Sequence, residues 1–317
     1  MKTLIALLAL LACRTALAQN AAVAADSLPF VLKPVGAGVY AAIDKPDRRG
    51  LANAGFVIGD DGVAVIDTFA DAGAAQQLLA EIRKLTPLPV RYVINTHYHL
   101  DHVAGNRVFA DAGAVLVGHR NIRAWIHTEN LKFFPDIKPE RRAQIAAFAA
   151  PEVVYDSFIE LYLGSRQLLV RALPGHTGGD SVVVVPDARV VFCGDLFWKS
   201  TLPNLIDAST GPLMSSDQKL IDVFPAASFV PGHGDVGEAA DVRAFVGYIA
   251  ALRSSIAREQ QAGLAGDALV NAVLPGLKQQ YGSWDLFSHF ARRNILDTDQ
   301  ELRGTKRLPQ PVPPPPL

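Results

Sequence analysis

The chain has 317 residues, half of them apolar and 19% charged, which is enough for a large buried core and excludes bulk disorder. Its formal net charge is −1 and its lysines and arginines are scattered, so it lacks the basic stripe that nucleic-acid binding needs.

Taken in chain order, residues 1–18 read as an export signal. Lys2 supplies a positive end, Leu4 to Ala12 a short apolar run, and Ala16-Leu17-Ala18 an A-x-A cleavage site. The apolar run is too short to span a bilayer, so no transmembrane span is expected in the mature chain. Leu10-Leu11-Ala12-Cys13 also resembles a bacterial lipoprotein box, in which Cys13 would carry a lipid anchor. Both readings export the protein, to the periplasm or beyond. After cleavage at Ala18, Cys193 is the one cysteine left, and no intramolecular disulfide can form.

Residues 54–67 pair two Val- and Ile-rich runs around Asp60-Asp61-Gly62, a hairpin signal. Over 71–85, Ala75, Leu78, Leu79, Ile82 and Leu85 recur at three- and four-residue spacing, which predicts an amphipathic helix. A strand "VRYVI" follows, then a helix near 103–112, a strand "AVLVG", and a segment over 120–150 that is mostly helical in pattern. Strands are expected around 168–173, 181–185 and 189–193, and another in "SFVPGHG". An Ala-rich helix follows near 239–261, with two more helical patterns to about 303. No repeat or composition break divides the chain, so residues 30–305 read as one α/β domain. The Pro-rich stretch 306–317 reads as an extended, flexible tail.

The stretch "NTHYHLDHVAGN", residues 95–106, begins where the "VRYVI" strand stops. It packs three histidines and an aspartate into six consecutive positions of a chain with eight histidines, too dense for an ordinary solvated loop. Alternate residues of an extended segment face opposite ways, so His97 and His99 can point to one side and Asp101 and His102 to the other, an arrangement that suits two metals. One loop cannot complete such sites, since a catalytic zinc takes three protein ligands plus water. Three further candidates each sit just beyond an apolar strand and beside a glycine: His176 in "LPGHTGGDS", Asp195 in "VVFCGDLFW" and His233 in "SFVPGHGDV".

On these motifs, H-x-H-x-D-H at 97–102, G-H-T-x-G at His176, the G-D pair at Asp195 and P-G-H-G at His233, the chain resembles the metallo-β-lactamase superfamily of metal-dependent hydrolases over nearly all of 35–265. The resemblance implies an αββα sandwich, two mixed sheets face to face with helices outside and metals at one edge. It assigns His97, His99 and His176 to a first zinc and Asp101, His102 and His233 to a second. Asp195 would bridge the two or serve the second alone. Asp67, ending "VAVIDT", matches a position that supports the metal loop, or else caps its own strand. Imidazole and carboxylate suit Zn²⁺, two per chain, and carboxylates also admit iron or manganese. Two such ions roughly 3.5 to 4 Å apart can share a water and lower its pKa from near 16 toward about 7, so that hydroxide attacks a carbonyl carbon. Asp101 would orient that nucleophile and shuttle its proton.

The implied reaction is hydrolysis of a small amide or ester, β-lactam or lactone-like. Asp195 and His102 stand where β-lactamases with one three-histidine zinc have cysteine and arginine, whereas thioesterases and lactonases of the superfamily have His and Asp at both. Against this, "WKSTLPNLIDAS" looks like a substrate-holding segment of β-lactamases, with Lys199 for a carboxylate and Asn204 for an oxyanion. Other readings are a thioesterase of glyoxalase II type, an accessory metallohydrolase of a quinoprotein system, and, in another class, a non-hydrolytic metal-binding or redox protein. His99, where redox members carry Glu, favours hydrolysis.

His119, His127 and His289 fall outside the motifs and read as surface or core residues, and Cys193 reads as packing. Trp125, Phe133 and Phe134 are expected in a helix core rather than a cleft wall. Trp284, Phe287 and Phe290, at helical spacing, are expected to pack onto the sandwich.

Overall fold

In the computed structural model, residues 28–45 and 51–314 are described; the expected export signal over 1–18 and Cys13 lie outside them. The chain opens with four strands, β1 (Phe30–Gly36), β2 (Val39–Asp44), β3 (Ala54–Ile58) and β4 (Val63–Ile66). Helix α1 (Ala72–Leu85) leads to β5 (Val90–Asn95), two short helices α2 (Leu100–Val103) and α3 (Asn106–Asp111), β6 (Val115–His119), α4 (Arg120–Trp125) and α5 (Pro139–Ala146). Then come β7 (Val153–Tyr155), β8 (Phe158–Leu163), β9 (Arg166–Ala172), β10 (Ser181–Val185) and β11 (Val190–Trp198). The rest is α6 (Thr210–Val223), β12 (Ser228–His233), α7 (Ala239–Gln261), α8 (Gly266–Tyr281) and α9 (Phe287–Leu302).

Two mixed sheets result. The first runs β1-β2-β3-β4-β5-β6-β7, antiparallel as far as β4 and parallel beyond it. The second runs β12-β11-β10-β9-β8, with β11 and β12 parallel and the other pairs antiparallel. Strands buried on both faces read as continuous apolar runs, and β10 shows why: Val183 and Val185 enter the core between the sheets, while Val182 and Val184 enter the core under the C-terminal helices. In β4, likewise, Ala64 and Ile66 face the inter-sheet core, and Val63 and Val65 pack with Leu78 and Ile82 of α1. Three stacked cores make the αββα sandwich.

Helix α1 starts where Asp71 accepts hydrogen bonds from the backbone N–H groups of Gly73 and Ala74. It buries Ala74, Ala75, Leu78, Leu79 and Ile82, and Arg83 and Lys84 complement its C-terminal dipole. The 120–150 segment is less helical than its pattern: Pro135 and Pro139 limit it to α4, a 3-10 turn over Glu129–Phe133, and α5. Helix α6 and strands β7 and β8 escape the periodicity reading.

The 306–314 stretch is not a free tail. Lys306 Nζ donates to the carbonyls of Leu205 (2.7 Å) and Ala208 (2.6 Å). Trp125 Nε1 donates to Gln310 O, and Val312 N to Asn121 Oδ1. Prolines exclude helix and sheet here, but they leave backbone groups open to neighbours, and these bonds tie the stretch down.

Candidate metal centre

Every motif residue reaches the same edge of the sandwich. His97 and His99 lie on the turn leaving β5, Asp101 and His102 in α2, His176 in the turn between β9 and β10, Asp195 within β11, and His233 at the end of β12. β11 continues past the expected strand end. Its register against β12 shifts on either side of Gly194, whose φ is +51°, and this irregularity aims Asp195 across the sheet edge. Gly232 lets that happen, because a Cβ there would sit 1.9 Å from Asp195 Oδ1.

The seven side chains form two groups, His97, His99, His176 and Asp195, and Asp101, His102 and His233. Asp195 divides its carboxylate between them. Oδ2 lies 3.2 Å from His176 Nε2 and 3.6 Å from His97 Nε2. Oδ1 lies 3.1 Å from His102 Nε2 and 3.4 Å from His233 Nε2. Asp101 Oδ2 closes the second group, 3.5 Å from His233 Nε2.

Surrounding partners set the imidazole tautomers. Asp67 Oδ2 accepts from His102 Nδ1 at 2.8 Å and from the Thr96 hydroxyl at 2.7 Å. With its proton so used, Thr96 Oγ1 accepts from His97 Nδ1 at 3.1 Å. Asp207 Oδ2 accepts from His99 Nε2 at 3.1 Å. The nitrogens left over, Nε2 of His97 and His102 and Nδ1 of His99, therefore face the interior, where each can offer a lone pair to a cation when its imidazole is neutral. Buried Nε2 atoms of His97, His102 and His233 and Oδ1 of Asp195 have no hydrogen-bond partner among the described residues. Orphaned acceptors of this kind are expensive and fit cations as their missing partners.

The electrostatics agree. Burial, then the neighbouring imidazole of His102, holds His97 neutral, well below the usual histidine range. Burial opposes ionisation of Asp195, yet His233, His102, His176 and His97 hold its carboxyl well below the usual carboxylate range. Against burial, Asp195, Asp67 and Asp101 push His102 well up. The buried carboxylates thus draw positive charge into the centre, as protons on His102 and His176 or as bound cations.

A cleft of about 550 Å³ opens onto this centre, within the range of small-molecule sites. Phe133, Phe134, Trp198 and Phe290 wall it, and Asn204, Arg141 and His289 also line it. Phe133 thus forms the wall and not a helix core, Phe134 lines the cleft while also packing against Val103, Ile126 and Ile145, and Phe290 and His289 join the wall. Trp284, Phe287 and Phe290 do pack with the C-terminal helices, and Trp125 is buried with Tyr98 and Ile122. The expectation for Lys199 fails. Trp198 faces the cleft, stacked on His233 at 3.8 Å, so the next residue of the pleat points away. Lys199 Nζ donates to Val236 O and pairs with Asp241 at 3.1 Å.

Sequence reasoning missed the support behind His99. Lys132 Nζ donates to Asp207 Oδ1 at 2.6 Å and to Tyr98 Oη at 2.8 Å, and Tyr98 Oη donates to Asp207 Oδ2. Burial opposes it, but His99 and Lys132 hold the Asp207 carboxyl below its ordinary range. Asp207 lies in the same "WKSTLPNLIDAS" segment, but only its position in space marks it.

The family description "Metallo-beta-lactamase superfamily" matches residues 47–241. The chain belongs to the metallo-beta-lactamase superfamily. Among curated relatives, linear primary-alkylsulfatase of a Pseudomonas species is 22% identical over 273 residues, 70% of this chain and 52% of that protein. Hydroxyacylglutathione hydrolase of Brucella ovis is 26% identical over 142 residues, 45% of this chain and 47% of that protein. The chain spans about half the length of each. The solved metallo-beta-lactamase from Pontibacter korlensis superposes with a TM-score of 0.59 at 21% identity, covering 70% of this chain and 99% of that one, a likeness of fold. No helix among the described residues is long and apolar enough to cross a membrane.

The superfamily assignment makes Asp67 a direct test. Asp67→Ala removes the acceptor for His102 and Thr96, and metal affinity is expected to fall about 10- to 100-fold. Competition with a chromophoric chelator measures it, and unchanged affinity would assign Asp67 to strand capping alone.

Proposed function

We propose that this chain is a dinuclear zinc hydrolase that cleaves the carbonyl C–N or C–O bond of a small amide or ester, such as a β-lactam or lactone, in the periplasm. The division of the Asp195 carboxylate between two histidine groups carries the reading. His97, His99 and His176 would hold one ion and Asp101, His102 and His233 the other, with Asp195 shared. Such a pair, when bound, supplies a Lewis acid for the carbonyl and water of lowered pKa.

The chain's own residues bind, orient and move protons. Asp101, with its side chain 25% exposed in the cleft, can take a proton from water and return it to the leaving atom. Asn204 Oδ1 accepts from Ile206 N at 3.1 Å, which leaves its amide N–H groups to donate to a substrate oxygen. The aromatic walls exclude water and suit a compact substrate with apolar flanks. A thioesterase reading draws support from the hydroxyacylglutathione hydrolase relative.

Metal analysis followed by assays on a chromogenic β-lactam, a lactone and a thioester tests these readings. The expected result is two zinc ions per chain and turnover of the lactam or lactone that a chelator abolishes and zinc restores. A purified protein without metal overturns the proposal, turnover of the thioester alone selects the second reading, and metal without turnover of any of the three removes the lactam, lactone and thioester substrates. Mass spectrometry of the mature protein checks export, with loss of residues 1–18 expected.

A further inference from the structure

We infer that the 306–312 stretch is a positioning strap for the first metal position, acting on His99 through Asp207 and on the His176 turn through Asn121; this rests on the proposed metal centre. Asp207, the partner of His99 Nε2, has no regular structure of its own to hold it, since it lies between β11 and α6. Lys306 Nζ donates to Leu205 O and Ala208 O, the carbonyls that bracket Asp207. A single ammonium thereby sets the turn that carries the carboxylate. Asn294 of α9 steadies the same turn upstream, accepting from Leu205 N and donating to Pro203 O, but nothing else among the described hydrogen bonds pins Ala208 O.

Farther along, the same stretch reaches the turn of a second histidine, His176. Asn121 Oδ1 accepts from Val312 N, and Asn121 Nδ2 donates to Gly178 O, two residues beyond His176. Trp125 Nε1 holds Gln310 O between these anchor points. The strap also lines, together with Lys132 and Asp207, a cleft of about 860 Å³, so it packs beside the pair that orients His99. Among the described residues no comparable contact reaches Asp101, His102 or His233, so the effect is expected at one of the two positions.

The test uses the full chain and zinc, with affinities at the two positions read by competition with a chromophoric chelator, and cobalt as a spectroscopic probe of the three-histidine position. Lys306→Ala is expected to weaken that position about tenfold and shift its cobalt spectrum, while the Asp101, His102 and His233 position keeps its affinity. Lys306→Arg, which keeps a cation there, is expected to recover most of the loss. In a double-mutant cycle with Asp207→Ala, the Lys306 loss disappears, because both changes act on one contact. Unchanged affinity in Lys306→Ala, equal weakening of both positions, or losses that multiply in the double variant each overturn the strap. An unaltered protein that binds no zinc overturns the metal centre and the strap together.

Discussion

Asp195→Asn is expected to lower kcat/KM on the order of a thousandfold or more while leaving the chain folded. The substitution keeps the shape of the side chain but removes the negative charge that both histidine groups face. One oxygen becomes an amide N–H₂ donor, and either orientation points it at imidazole nitrogens 3.1 to 3.6 Å away. A donor cannot serve a cation, so one of the two positions loses its shared ligand. Several kcal/mol of transition-state stabilisation come from such a metal site, and each 1.36 kcal/mol is about tenfold in rate. Atomic spectroscopy is expected to find fewer than two zinc ions per chain. Two tightly held ions with nearly unaltered kcat/KM would show that Asp195 does not link the positions.

Asp217→Asn is expected to make the chain more stable near neutral pH and to flatten its dependence on pH. Asp217 is fully buried on α6, and neither carboxylate oxygen has a hydrogen-bond partner among the described residues. Burial, and then the nearby Asp180, pushes its carboxyl well above the usual 3.8. The folded state therefore keeps the proton that the unfolded chain releases. The stability this confers is complete below the unfolded pKa and is lost as pH rises toward the folded pKa, by up to about 1.4 kcal/mol per pH unit. Asparagine copies the protonated form and does not titrate. The two proteins should match near pH 4 and diverge above it in urea unfolding of chelator-treated samples. Parallel curves from pH 4 to pH 8 would remove Asp217 from the account.

The seven candidate metal residues were legible because His, Asp and Gly cluster where apolar runs stop, and a strand end followed by a tight turn is a local event. Layering was legible for the same reason: "SVVVV" and "VVFC" bury both faces and need a core on each side. Helix α6 was harder to read, since its buried face mixes Thr210, Ser216 and Asp217 with Leu213, Leu220 and Ile221. Lys199 was misread because a segment's likeness says nothing of which way a pleat turns a side chain, and Trp198 had already taken the cleft side.

By itself, then, the sequence determined which residues could bind metal and which runs had to be buried, because both depend on neighbours a few positions apart. Tertiary structure alone decided what holds those residues in place. His99 meets Asp207 across 108 positions, and Lys306 meets Leu205 across 101. It also decided which aromatic side chains wall the cleft. Contacts of that span have no periodicity to betray them, since they arise only when separate layers pack and leave particular polar groups facing one another.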